Sequence, residues 1–337
     1  MTASTETAAP DLTIDVAEAL PFGSERNAIA AGVYLPEGSP RAVLICWPGG
    51  SYSRSYWDLH VPGYSGYSFA DHLTARGYLV IAADPLGVGG STRPQDVDLV
   101  TLDVMAAASA EVAREVRRRL GTGELHPKLA PLPADVPLVG IGHSLGGAIC
   151  VVTQAVHGCY DAIANLGYTH GSKDALESGP AASTADPEGP RRAAEAQAKA
   201  FFGSAWDDGY ALAAREPHHG WLYSSDVPQE VIAVDDRGAT AWPRQSYVEA
   251  LQEGFTVPFA GQITCPILIA FGEQDIPESP RDDAGFYTAS PDITVLTLPN
   301  SAHCHNLAST RALLWDRIAS WAAAVGDALP ASAATTA

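Results

Sequence analysis

Residues 137–147 read Pro-Leu-Val-Gly-Ile-Gly-His-Ser-Leu-Gly-Gly, and a further apolar run, residues 148–156, follows at once. This is an apolar strand entering a tight turn and leaving it as a helix. The glycines on either side of Ser144 are what such a turn demands, since a serine on so sharp a bend has a strained backbone and no room for neighbouring Cβ atoms. Its hydroxyl is left exposed at the sheet edge. Ser144 then precedes the N-terminus of helix 145–157, whose free N–H groups and positive dipole end favour an anion forming beside it. That helix is apolar nearly all round, so it packs centrally against a sheet.

The rest of the chain fits around this unit. Residues 12–16 and 28–35 read as strands, and 42–47 (AVLICW) is a continuous apolar run of the kind buried on both faces. It stops in Pro48-Gly49-Gly50-Ser51, where a glycine pair lets backbone N–H groups approach a ligand or simply ends the strand. A short helix, 69–76, precedes strand 78–83. Helix 101–120 carries Leu102, Met105, Val112, Val116 and Leu120 on one stripe, with Glu111 and Glu115 spaced to pair with Arg114, Arg118 and Arg119, and Gly121 behind it. Strand 162–168 follows the serine helix. Such alternation means right-handed crossovers and a mostly parallel sheet covered on both faces.

The rhythm stops at Thr169. Up to residue 262 the chain reads as a flexible stretch, 178–190, helices 191–202, 207–215 and 244–252, and loops, with an aromatic load that includes Trp206, Trp221, Trp242 and Tyr247. It predicts a helical insertion, either a packed subdomain or a lid over a pocket. Strand 266–271, a short helix at 281–287, strand 293–298 and a final helix with Leu314, Ile318, Trp321 and Val325 on one face restore the alternation. The expected organisation is a core of residues 11–168 and 263–326, an insertion of residues 169–262, and tails at 1–10 and 327–337.

In open α/β sheets the active residues stand just past the C-terminal strand ends. Ser144, Asp275 and His303 all fall there. A serine hydroxyl is a poor nucleophile at neutral pH; it needs a base with a pKa near 7 and a carboxylate to hold that base's tautomer. His305 lies in the same loop as His303. It is expected against the start of the final helix, where it caps or packs, since from two positions further on it would have to reverse the loop to reach Asp275.

With these pieces the chain resembles the α/β-hydrolase family. The resemblance rests on Pro48-Gly49-Gly50, on Asp84-x-x-Gly87-x-Gly89 followed by Ser91, on Gly142-His143-Ser144-Leu145-Gly146-Gly147, and on the Asp275 and His303 loops. The order Ser, Asp, His is the one such enzymes use. It implies an α/β fold, a mostly parallel α/β-hydrolase sheet with helices on both faces and an inserted helical cap. It also implies Ser144 as nucleophile, His303 as base, Asp275 as its orienting carboxylate, and the N–H groups of Leu145 and Gly50 as oxyanion hole, with Gly49 or Ser51 as substitutes. Many members carry His-Gly where this chain has Pro48-Gly49. Asp84 is expected to shape its loop. Ser51, His143, Trp206, Trp221 and Trp242 are the expected substrate-binding residues, with His143 packing beside the nucleophile or contacting the pocket.

Composition narrows the partners. With 20 Lys and Arg against 39 acids the net charge is −19, which opposes binding to nucleic acid or anionic lipid. Arg54 is the one obvious partner for an anionic substrate, so a neutral, largely apolar small molecule is expected. The five cysteines are scattered without a C-x-x-C pair, the first eleven residues lack the basic start and apolar core of a signal peptide, and no apolar run reaches the ~20 residues of a membrane helix. A cytoplasmic protein is the expectation. His218-His219 has no ligand-spaced neighbour and reads as a surface loop; Gly87-Val88-Gly89-Gly90 lacks the Lys-Ser/Thr of a phosphate loop. No metal or organic cofactor is implied. The chemistry expected is hydrolysis of an ester, thioester or lactone through an acyl-enzyme; carbon–carbon bond hydrolysis, cofactor-free perhydrolysis on the same residues, and a ligand receptor on the same fold are the alternatives.

Overall fold

The computed structural model describes residues 12–171, 188–276 and 280–328. The expected N-terminal tail, residues 329–337 of the C-terminal one and most of the stretch 178–190 lie outside the described residues, while residues 327 and 328 complete the final helix. Eight strands form one sheet: β1 (Leu12–Asp15), β2 (Ala28–Tyr34), β3 (Val43–Trp47), β4 (Leu79–Ala83), β5 (Leu138–His143), β6 (Ala162–Leu166), β9 (Ile267–Gly272) and β10 (Ile293–Leu298). Their order is β1-β2-β4-β3-β5-β6-β9-β10. β2 runs antiparallel to both its neighbours, and every pairing from β4 to β10 is parallel.

The unbroken apolar runs are explained by the two layers that cover the sheet. Alternate residues of each strand enter different cores. Val43, Ile45 and Trp47 of β3 pack with α2 (Leu102–Thr122) and α3 (Leu145–His157), while Leu44 and Cys46 pack with α1 (Phe69–Thr74) and α9 (Arg311–Ala328). Helix α2 follows its expected stripe and makes the expected Arg114–Glu111, Arg118–Glu115 and Arg119–Glu115 pairs. It continues through Gly121 and stops at Gly123, whose φ of 75° supplies the left-handed cap.

Between β6 and β9 come α4 (Gly189–Phe202), α5 (His219–Leu222), α6 (Gln229–Arg237), α7 (Arg244–Leu251) and α8 (Val257–Ala260), with a two-stranded ladder of β7 (Tyr210–Ala211) and β8 (Trp242–Pro243). The helix expected at 207–215 does not form. A 3₁₀ turn over Gly203–Asp208 ends at Gly209, φ 76°, and the chain then extends to pair with Trp242. The segment 281–287 is likewise a 3₁₀ turn, Asp282–Phe286. Ala194, Ala198, Phe202, Trp206 and Val248 give the insertion a small core of its own. Its α7 is tied to the sheet layer through Glu249, whose Oε2 accepts the Leu102 N–H at 2.7 Å and so caps the first turn of α2.

Candidate active site

Ser144 has φ 52° and ψ −122°, a backbone state that costs of the order of 1–3 kcal/mol for a residue with a side chain. Two close approaches enforce it. A Cβ on Gly142 would overlap the carbonyl of Gly146, and one on Gly146 would overlap the carbonyl of Trp47, so β5, the turn and α3 fit only with glycine at both places. The Ser144 N–H donates to the Leu166 carbonyl at 2.7 Å, and the Ser144 carbonyl accepts from Gly147 at 2.7 Å, locking the turn. Leu145 N–H belongs to the first turn of α3, which has no partner within its helix.

Asp275 stands past β9 and His303 past β10. The two loops are stitched together, Glu273 N–H donating to Leu298 and Gln274 N–H to Ser301, both at 2.9 Å. His303 Nδ1 lies 2.7 Å from Asp275 Oδ1, with both side chains almost wholly buried. A carboxylate only accepts, so the proton of this bond is on Nδ1 and the lone pair of the ring is on Nε2. Burial pushes the Asp275 carboxyl up, but the His303 and His305 imidazoles outweigh it and hold the group well below the usual carboxylate range. The elbow and the histidine loop are joined as well. His143 Nε2 donates to the His303 carbonyl at 2.8 Å, and the two rings are 4.8 Å apart. Burial, with His303 and His305 nearby, holds His143 well below its ordinary pKa, so it is a neutral packing residue.

His305 does not cap α9. A 3₁₀ turn, His305–Leu307, folds the chain back, and His305 Nε2 comes to 2.8 Å from Asp275 Oδ2. With Asp275 ionised, that contact requires a proton on Nε2. The Gly272 N–H, 3.1 Å from Nε2 and 3.4 Å from Oδ2, then bonds to the carboxylate. The buried Nδ1 of His305, which has no partner, carries a lone pair, a cheaper orphan than an N–H. Asp275 is therefore held by two imidazoles, one on each oxygen.

The profile of the alpha/beta hydrolase family matches residues 44–316. The chain belongs to the alpha/beta hydrolase family. Solved structures agree in fold across nearly the whole length. They include a soluble variant of a monoglyceride lipase from Saccharomyces cerevisiae (TM-score 0.64, 12% identity, 96% of this chain and 97% of that one). A thermostable carboxyl esterase from Bacillus coagulans (0.62, 17%, 94% and 98%) and a proline iminopeptidase from Mycobacterium smegmatis (0.58, 17%, 94% and 99%) are further examples. At such identities the likeness is one of fold. Comparison with curated proteins gives no match. Among the described residues no helix is long and apolar enough to cross a membrane.

In this alpha/beta hydrolase a cavity of about 590 Å³ opens over Ser144 and Leu145, walled by Phe201, Trp221 and Tyr247 among others. Trp221 lies flat on His303, ring centroids 4.4 Å apart, and its carbonyl accepts the His303 N–H at 3.3 Å. Of the five residues expected to bind substrate, it alone lines the cavity. Trp206 packs on Phe202 in the insertion's own core, and Trp242 is fully buried with Nε1 donating to the Tyr52 carbonyl at 2.8 Å. Trp206 thus serves the insertion's own core, whereas Trp242 joins the core on the α2–α3 side of the sheet, and large aromatics are spent on packing in both places. Ser51 is buried, its hydroxyl accepting from Arg215 Nε at 3.1 Å and its carbonyl from Arg215 Nη2, and His143 lies behind the elbow.

Several residues here carried no local sequence signal. Arg215 forms a buried ion pair with Asp235, whose Oδ2 also accepts from Tyr52 and Tyr223 at 2.8 and 2.7 Å. This pair pins the insertion to the Gly49–Ser51 loop. Arg54 is buried and bound to Asp84, so it is not free to meet a substrate anion. His218, expected on a surface loop, stacks on Phe201 at 4.4 Å and lines the cavity. His170 lines it too, but both its nitrogens are engaged, by Thr256 and Tyr287, and burial pushes it down to about 3. Among the described residues, Asp58, His60 and Asp71 could share a cation; they stand at the surface before and in α1, and Asp58 already accepts from Ser68 at 2.7 Å.

Proposed function

We propose that the chain is a serine hydrolase cleaving a carboxylic ester, thioester or lactone of a small, largely apolar substrate through an acyl-enzyme. Ser144 Oγ attacks the carbonyl carbon while His303 Nε2 takes its proton. Asp275 keeps the His303 tautomer and stabilises the imidazolium. The N–H groups of Leu145 and Gly50 receive the oxyanion; one such donor is typically worth about 3 kcal/mol. His303 then returns the proton to the leaving oxygen or sulfur, and water repeats the cycle to free the acid. None of these steps calls on a metal or organic cofactor.

The observation that carries this reading is the 2.7 Å contact of His303 Nδ1 with an ionised, buried Asp275, in a loop bonded to the strained elbow of Ser144. The aromatic wall of the cavity favours an apolar acyl or alcohol group. The described part of the insertion 169–262 acts as a cap over it, and Trp221 joins that cap to His303. The five cysteines, all unpaired, support a cytoplasmic setting.

A panel of p-nitrophenyl esters of increasing acyl length tests the proposal. Wild-type protein should turn over one or more of them, and Ser144→Ala should lose about 10⁴-fold or more in kcat while keeping the wild-type fold. Turnover by Ser144→Ala near the wild-type rate would remove Ser144 from the mechanism.

A further inference from the structure

The second glycine of the loop after β3 meets a side chain from the insertion. A Cβ placed on Gly50 would lie 2.7 Å from the hydroxyl oxygen of Tyr247 and 2.8 Å from its Cζ, so the phenol end rests directly on this glycine. The same loop abuts the elbow. A Cβ on the neighbouring Gly49 would lie 3.0 Å from the Cβ of Ser144. Tyr247 also lines the cavity together with Ser144 and Leu145. The residue that carries this hydroxyl thus touches the loop whose N–H is assigned to the oxyanion and walls the same cavity as the nucleophile.

The ring is held and the hydroxyl is not used. Phe202 meets the Tyr247 ring edge-on at 4.7 Å, Phe201 stacks on it at 5.6 Å, and Glu249 anchors the same helix to α2. No described residue hydrogen-bonds to the hydroxyl. A phenol in an apolar wall needs a partner, and here only water or a bound substrate can supply it. Burial raises the phenol above its ordinary pKa, against the pull of Arg215, so it stays protonated and is a donor at neutral pH.

We propose that Tyr247 is a further catalytic residue, its O–H donating a hydrogen bond to the oxygen that becomes negative when Ser144 adds to the carbonyl. The insertion thus supplies a third donor beside the N–H groups of Leu145 and Gly50. The proton stays on the phenol; no bond to Tyr247 forms or breaks. The donor is placed before the substrate arrives, the condition under which such a group stabilises charge without reorganising. The proposal rests on the reading of Ser144 as nucleophile.

Tyr247→Phe keeps the ring and removes only the hydroxyl, so packing on Phe201, Phe202 and Gly50 is preserved. On an activated ester that wild type hydrolyses, kcat should fall about ten- to hundredfold with KM changed less than about threefold. The affinity of an alkyl boronic acid, which forms a tetrahedral adduct with the serine, should fall by a similar factor, while that of an unreactive ketone of the same shape should not. Replacing Tyr247 with fluorotyrosines of stepwise lower phenol pKa should shift kcat progressively. Wild-type kcat and boronate affinity in Tyr247→Phe would overturn the proposal, as would a rise in KM alone, which marks a residue that only shapes the cavity. A wild type that hydrolyses no ester and binds no boronate would overturn the serine-hydrolase reading itself, and this proposal with it.

Discussion

His305 Nε2 lies 2.8 Å from Oδ2 of Asp275, the carboxylate whose other oxygen is 2.7 Å from Nδ1 of His303. One buried carboxylate thus serves two histidines, and only their surroundings tell them apart. His303 stacks on Trp221 at the cavity wall, whereas the free nitrogen of His305 is buried without a partner. His303→Gln should approach the defect of Ser144→Ala, about 10³-fold or more in kcat/KM on one activated ester. His305→Gln keeps an N–H for Oδ2 and should cost less than roughly tenfold. A near-silent His303→Gln beside a dead His305→Gln would exchange their roles.

Asp283 predicts a pH effect of opposite sign to that of Asp275. It is 2% exposed, Oδ1 accepts from Thr169 and His170, and Oδ2 has no partner; burial pushes its pKa up to about 7. The fold prefers the protonated acid, so its contribution is complete below the ordinary carboxyl pKa and is lost as pH rises through about 7. Asp283→Asn keeps the acceptor and removes the charge. Denaturant unfolding should show the variant more stable than wild type by about 1–3 kcal/mol at pH 8.5, with the gap closing towards pH 5. A less stable variant at pH 8.5 would contradict this.

Trp221 and Trp242 should separate function from stability. Trp221→Leu widens the wall over Ser144 and should reorder the preference among acyl lengths. Trp242→Leu leaves a hole in the core and an unpaired Tyr52 carbonyl, costing about 2–4 kcal/mol with little change in that preference. The ester panel and thermal unfolding of both variants check the pair.

The residues at the ends of β5, β9 and β10 were legible because their signals are local: apolar runs, then glycine, serine, aspartate or histidine at the strand end. The insertion was legible only as a change of rhythm. Its helix at 207–215 failed because Gly209 turns the chain into a ladder with Trp242, a partner that no local pattern reveals. Arg215 with Ser51 and Tyr247 with Gly50 join residues more than 160 positions apart, and nothing near either end marks the pairing. His305 departs from its expected place against the final helix because the chain does reverse there, in a 3₁₀ turn that no local pattern marks and that brings the ring back to Asp275.

The central claim is that Ser144 is the nucleophile. Peptide mapping by mass spectrometry after reaction with a fluorophosphonate tests it most directly, with and without His303→Gln. The account predicts one adduct on the peptide carrying Ser144, formed far more slowly when His303 is replaced; an adduct on any other residue, or none on a protein that hydrolyses esters, would contradict it.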